Sequence, residues 1–236
     1  MDQERWSEVD RYIEKKLVGS DPALTSTIAA AVAAQLPAIE VSPNHGKLLS
    51  LLAVIHNSRR ILELGTLAGY STIWLARALP ADGRLISIES NASHARIAQV
   101  NIEKAGVGAK VEIRVGKALE LLPELVTQGL APFDFIFIDA DKETYPEYFE
   151  WAVRISQYGT IIVIDNVVRN GAIREVKPED KRVKAVKRLF DLVAQDRRVT
   201  ATAVQTVGSK GYDGFMLARV TEGLHDRLEH HLHRRD

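Results

Sequence analysis

The chain opens with one hydrophobic period and then alternates between two. Over the first 36 residues the period is helical. In "WSEVDRYIEKKLV", Trp6, Val9, Ile13 and Leu17 recur at three- to four-residue spacing. "SDPALTSTIAAAVAAQL" opens on a Ser-Asp-Pro helix start. "VSPNHGKLLSLLAVIHN" offers a second start, with Ser42 as N-cap and Pro43 at the first helical position. Short apolar runs then alternate with helical stretches. The runs are "RRILELG", "GRLISIES", "AKVEIRVG", "FDFIFIDA" and "YGTIIVIDN". Between them lie "STIWLARALP", "NASHARIAQVNIEKAG", "ALELLPELVTQG" and "YPEYFEWAVRIS". Strands that read as continuous Ile, Val and Leu, each followed by a helix, are what a parallel sheet covered on both faces requires. The pattern predicts a doubly wound α/β domain.

The last third departs from this alternation. "EDKRVKAVKRLFDLVAQD" has the pattern of an amphipathic helix, and "VTATAVQTVGSKGYDGFMLARV" holds two strands around a Gly-containing turn. The two strands should pair as a hairpin at a sheet edge, leaving one strand antiparallel. No repeat, low-complexity segment or Pro/Gly/Ser linker divides the chain. The organisation expected is an N-terminal helical extension over 1–40, one α/β domain over 41–220 and a charged tail over 221–236. Four of the seven histidines fall in that tail, at spacings that do not match a zinc site, so a solvated helix is expected there.

Composition narrows the chemistry. Of 236 residues 46% are hydrophobic, enough for a sizeable core, and 26% are charged with a formal net charge of zero. That balance carries no footprint for a nucleic-acid or membrane surface. The absence of cysteine excludes disulfides, thiolate metal sites and a cysteine nucleophile. The charged start has no apolar signal region, and no apolar run reaches the ~20 residues that span a bilayer. A cytoplasmic protein is expected.

The first strand-to-helix junction, "ILELGTLAGYS", carries Gly65 and Gly69, which allow a tight turn. In open α/β sheets the ligand crevice lies beyond the carboxyl ends of the strands, where helix N-terminal amides favour negative charge. The pattern is not the dinucleotide fingerprint. Glu63 would repel a pyrophosphate and suits a cationic group, while Glu89, 26 residues later at the end of the next strand, suits ribose hydroxyls. A ligand with ribose, an amino-acid moiety and no phosphate is implied, and S-adenosylmethionine fits. Two further strands end in acid, at Asp139 and Asp165. Adjacent in the sheet, they would bring Asp139, Asp165 and Asn166 to one edge as oxygen donors for a hard cation such as Mg²⁺, Mn²⁺ or Ca²⁺. Lys142 lies close enough to share that cavity and to act as a general base. The plainer readings are a turn at Asp165-Asn166, a solvated Lys142 and a capping role for Asp141. Asp139 lies too early to cap the "YPEYFEWAV" helix.

The strings "LELGTLAGYSTIWLARALP", "GRLISIE", "FDFIFIDADKETYPEY", "IIVIDNVVRNG" and "VGSKGYDGFMLA" resemble the cation-dependent O-methyltransferases, the family of catechol and caffeoyl-CoA O-methyltransferases, and most closely its bacterial branch. The resemblance runs from about Val41 to Val220. It implies a Rossmann-like sheet of seven strands ending in an antiparallel one, usually in a homodimer. It implies that Glu63, Gly65, Thr66 and Ser71 hold the methionine part of S-adenosylmethionine and that Glu89 binds the ribose. Ala118 would lie beside the adenine, and Val41 and Asp139 would add further cofactor contacts. Asp139, Asp165 and Asn166 match metal ligands, and Lys142 matches the base. The activity implied is methylation of a vicinal-diol phenol. The alternatives are methylation of a hydroxylated uridine in tRNA, with the basic run Lys177–Arg188 on phosphates, and a non-catalytic cofactor-binding scaffold. The intact acid and lysine set argues against the scaffold.

Overall fold

A computed structural model describes residues 2–222. The expected tail and its histidines fall outside the described residues, apart from Thr221 and Glu222. Three helices come first: α1 (Gln3–Ile13), α2 (Pro22–Ala33) and α3 (Pro43–Ile55). The start signals act as written. Asp21 accepts from the amides of Ala23 and Leu24 ahead of Pro22, and Ser42 accepts from His45 ahead of Pro43. The helical stripe of α1 is interrupted, because the chain passes into a π-helical turn at Glu14–Val18. The wider turn shifts the phase, so Leu17 leaves the stripe and is 72% exposed, while Trp6 and Ile13 are half-buried.

The α/β part runs β1 (Arg60–Leu64), α4 (Tyr70–Ala78), β2 (Arg84–Glu89), α5 (Ala92–Lys104), β3 (Val111–Val115), α6 (Ala118–Thr127), β4 (Phe133–Ile138), α7 (Tyr145–Arg154) and β5 (Ser156–Ile164). It closes with α8 (Lys181–Gln195), β6 (Val199–Gly208) and β7 (Gly211–Val220). These make one seven-stranded sheet in the order β3-β2-β1-β4-β5-β7-β6. The first five strands in that order are parallel, and β7 runs antiparallel to both of its neighbours. The hairpin therefore forms as the sequence predicts, with its second strand against β5.

Strand alternation divides the core into two layers. Leu62, Leu64, Ile136 and Ile138 face one side and pack with Leu122, Leu125, Phe149 and Leu189 of α6, α7 and α8. Ile61, Leu85, Phe135 and Phe137 face the other and pack with Leu49, Ile73, Leu75 and Ile102 of α3, α4 and α5. Each such side chain contributes roughly 1.5–3 kcal/mol through burial. On α8 the apolar positions Val183, Val186, Leu189 and Val193 are buried, while Lys181, Arg182, Lys184, Lys187 and Arg188 are exposed. The basic run is thus the outer face of an amphipathic helix. No helix among the described residues is long and apolar enough to cross a membrane.

The strand order reverses at β1, whose neighbours are β2 and β4. This is the switch point beyond which the crevice of an open α/β sheet lies.

Candidate active site

The carboxyl ends of β1, β2, β4 and β5 converge on a cavity of about 530 Å³. Val41, Gly65, Thr66, Ser71, Glu89, Ala118, Asp139, Lys142 and Asn166, all singled out from sequence, line it. Glu63 and Asp165 are not among the lining residues and lie deeper.

Gly65 has φ +98°, and a Cβ there would lie 2.1 Å from the backbone oxygen of Asp139. The glycine is required because the β1 and β4 ends touch, which presses the glycine turn against the first acid. Gly69, also left-handed at φ +87°, opens α4. The amides of Thr66 and Leu67 donate to Glu89 Oε2 at 3.2 and 2.9 Å, and Asn91 donates to Oε1 at 2.9 Å. The anion at this turn is therefore the protein's own Glu89. A carboxylate offers about four lone-pair sites, so part of its capacity still faces the cavity.

Glu63 occupies a different place from the one its motif suggests. In the alternation of β1 it shares a face with Ile61, so it points toward α4 and not out of the strand end. It is fully buried and accepts from Ser71 Oγ (2.6 Å), Ser87 Oγ (2.6 Å) and Thr72 Oγ1. Burial outweighs these hydroxyls and pushes its carboxyl up to about 7. Ser71 is the link between Glu63 and the cavity.

At the β4 and β5 ends, Lys142 Nζ lies 2.7 Å from Asp139 Oδ1 and 5.3 Å from the centre of the Tyr145 ring. Asp141 orders this loop by accepting from Thr144 Oγ1 and the Glu143 amide. Asp165 is 7% exposed and bonds the Asn166 amide at 2.8 Å. Burial, with the Asp139 charge adding to it, pushes Asp165 up to about 8. Tyr145, also fully buried, donates to the Asp165 backbone oxygen at 2.9 Å. Asn166 adopts φ +55°, the left-handed region that asparagine tolerates. Among the described residues no trio of His, Cys, Asp and Glu is placed to hold a metal ion. The set here is two carboxylates and an amide, which is the hard-oxygen chemistry of Mg²⁺. An acid pair, Asp165 buried and Asp139 half-buried, whose only lysine is taken by Asp139, fits a divalent cation.

Sequence reasoning passed over three residues. His45 Nδ1 lies 3.6 Å from Asp165 Oδ2, its Nε2 is buried without a hydrogen-bond partner, and burial pushes the imidazole down. His94 and Arg169 line the cavity. Only the position of His45, in the first turn of the helix after Val41, offered a signal.

Known proteins match the chain in both sequence and fold. The O-methyltransferase family model matches residues 17–221. A catechol O-methyltransferase of Niastella koreensis is 49% identical over 93% of this chain and 100% of its own length. A second, of Mycobacterium tuberculosis, is 47% identical over 90% of this chain and 95% of its own. The O-methyltransferase from Bacillus cereus in complex with SAH superposes with a TM-score of 0.92 at 49% identity, covering 93% of this chain and 100% of that one. The O-methyltransferase TomG from Streptomyces achromogenes in complex with SAM gives 0.91 at 50%, covering 94% and 99%. The chain therefore belongs to the O-methyltransferase family and is an enzyme of its S-adenosylmethionine-dependent class.

Proposed function

We propose that the protein transfers the methyl group of S-adenosylmethionine to one hydroxyl of a vicinal-diol phenol, with a divalent cation, Mg²⁺ or its congeners, held by Asp139, Asp165 and Asn166. The observation that carries this reading is the pair of acids at the ends of adjacent strands, with Lys142 2.7 Å from one of them. Two curated relatives, at 49% and 47% identity, are named for catechol, which agrees with a diol acceptor. S-adenosylmethionine supplies the methyl group as a sulfonium, and the cation supplies Lewis-acid stabilisation of the ionised diol.

The chain's own residues do the rest. Lys142 Nζ takes the hydroxyl proton, and Asp139 and the Tyr145 ring hold the resulting ammonium. Glu89 and Thr66 place the ribose end of the cofactor. Ser71, anchored by Glu63, places the methionine end, and Val41 and Ala118 give apolar walls. Holding both reactants in line is worth up to about 7–11 kcal/mol of the barrier. The test is methyl transfer from labelled S-adenosylmethionine to a catechol, with Mg²⁺ and after EDTA. Transfer that EDTA abolishes and Mg²⁺ restores is expected, and transfer indifferent to both would refute the metal's part.

A further inference from the structure

We propose that Arg169, assisted by Arg182, binds a carboxylate on the methyl acceptor, so that the preferred substrates are diol phenols bearing an acidic substituent. The inference rests on the diol reading given above and adds the acceptor's charge to it.

Arg169 lies three positions beyond Asn166 and lines the same cavity. Its side chain is 29% exposed, yet its Nε is buried and has no hydrogen-bond partner. The acid paired with it, Asp213, places Oδ2 3.7 Å from Nη1, beyond hydrogen-bonding distance. The other oxygen of Asp213 is occupied, accepting from the amides of Val168 (3.0 Å), Arg169 (2.9 Å) and Gly214 (3.0 Å). Asp213 thus fixes the backbone of the loop and leaves the guanidinium donors unspent. The backbone it fixes is strained. Arg169 stands at φ +56°, a region that residues other than Gly, Asn and Asp rarely adopt, next to Asn170 at +57°.

A buried Nε–H without an acceptor carries a desolvation cost that a ligand's oxygen would offset. Lys142 is taken by Asp139, and Glu89 by three backbone amides. Arg182, in the first turn of α8, lines the cavity and has no ion pair among the described residues. Two guanidinium groups without hydrogen-bonded acid partners therefore line the cavity that holds Asp139, Lys142 and Asn166, Arg182 from its exposed rim. The planar fork of arginine binds a carboxylate through two parallel bonds, which a lysine cannot do.

The test compares 3,4-dihydroxybenzoate with its carboxamide, and 3,4-dihydroxycinnamate with its carboxamide, under S-adenosylmethionine and Mg²⁺. The second pair places the charge farther from the diol. In at least one pair the acid should exceed the amide in kcat/KM by about tenfold or more. Arg169→Gln should bring that ratio toward one. Arg169→Lys and Arg182→Gln should lower it less, and they keep the test decisive if Arg169→Gln does not fold. Equal turnover of acid and amide by the natural protein overturns the proposal and leaves the diol reading standing. A ratio retained in all the variants also overturns it, since Arg169 would then only shape the loop. If neither member of either pair is methylated by protein that binds S-adenosylmethionine, the diol reading fails and this one with it.

Discussion

Lys142 and Asp139, held 2.7 Å apart, have separable roles, and substitution can tell them apart. Lys142→Met removes the proton acceptor but leaves every oxygen donor. Metal affinity should persist while turnover falls by roughly 10²–10⁴-fold, the usual worth of a general base. A Lys142→Met protein with unchanged kcat would assign the proton to another group. Glu89 needs a more careful variant. It ties three turn amides as well as facing the cavity, so Glu89→Ala would loosen the Thr66–Leu67 turn along with the ribose contact. Glu89→Gln keeps the shape, removes the charge and can still accept from Thr66 and Leu67, giving up only the Asn91 amide, since its nitrogen cannot accept. Charged hydrogen bonds are worth roughly 1.5–3 kcal/mol each, so S-adenosylmethionine should bind about tenfold or more weakly in calorimetry. Unchanged affinity would place the ribose elsewhere.

At the scale of elements, β1, β2 and α4 enclose a carboxyl that titrates. The Glu63 pKa of about 7 in the folded chain stands above its ordinary value of 4.5. Between these values the folded protein binds a proton that the unfolded chain has released. Stability from this group is thus complete below the unfolded pKa and is lost as pH rises toward 7. The loss is of the order of 3 kcal/mol. The surrounding hydroxyls can turn to accept, so Glu63→Gln should fold and should lack this decline. Urea denaturation of both proteins across that range would show it, and parallel pH profiles would contradict it. The same strand shows what was legible beforehand. The order of elements, the hairpin and the acids at Asp139 and Asp165 could be read because an apolar run ending in a carboxylate has few structural uses. The period of two also held the orientation of Glu63, which shares a face with Ile61, but the motif drew attention to the strand end instead. Arg169 could not be read, because it reaches the site through loop geometry that spacing does not encode, and His45, which reaches it through a helix crossing, was signalled only by its place in the first turn after Val41. The π turn after α1 had no local signal either.

At the scale of the molecule, the N-terminal helices are tied to the far hairpin. Asp10 accepts from the Ser209 amide at 2.7 Å, Gln3 donates to the Gly208 oxygen at 2.8 Å, and Lys210 pairs with Glu40 at 2.6 Å. Pro37, Ile39, Glu40 and Val41, which follow α2, line the cavity, so this docking shapes one of its walls. Yet Val9, Leu17, Val32 and Ile55 remain more than half exposed on these elements. Apolar groups left outside the core in this number fit a second copy of the chain. A homodimer mass by light scattering at micromolar concentration is expected, and a monomer would contradict it. The central claim is that two strand ends, separate in sequence, meet at one cation. The most direct measurement is a calorimetric titration of Mg²⁺ or Mn²⁺ into EDTA-stripped protein saturated with S-adenosylmethionine, for the natural chain beside Asp139→Asn and Asp165→Asn. Each variant keeps the shape of the site and removes one negative charge. One binding event in the natural protein, weakened tenfold or more (about 1.4 kcal/mol) in both variants, is the predicted result. Binding of equal strength in all three would place the cation elsewhere and contradict the mechanism.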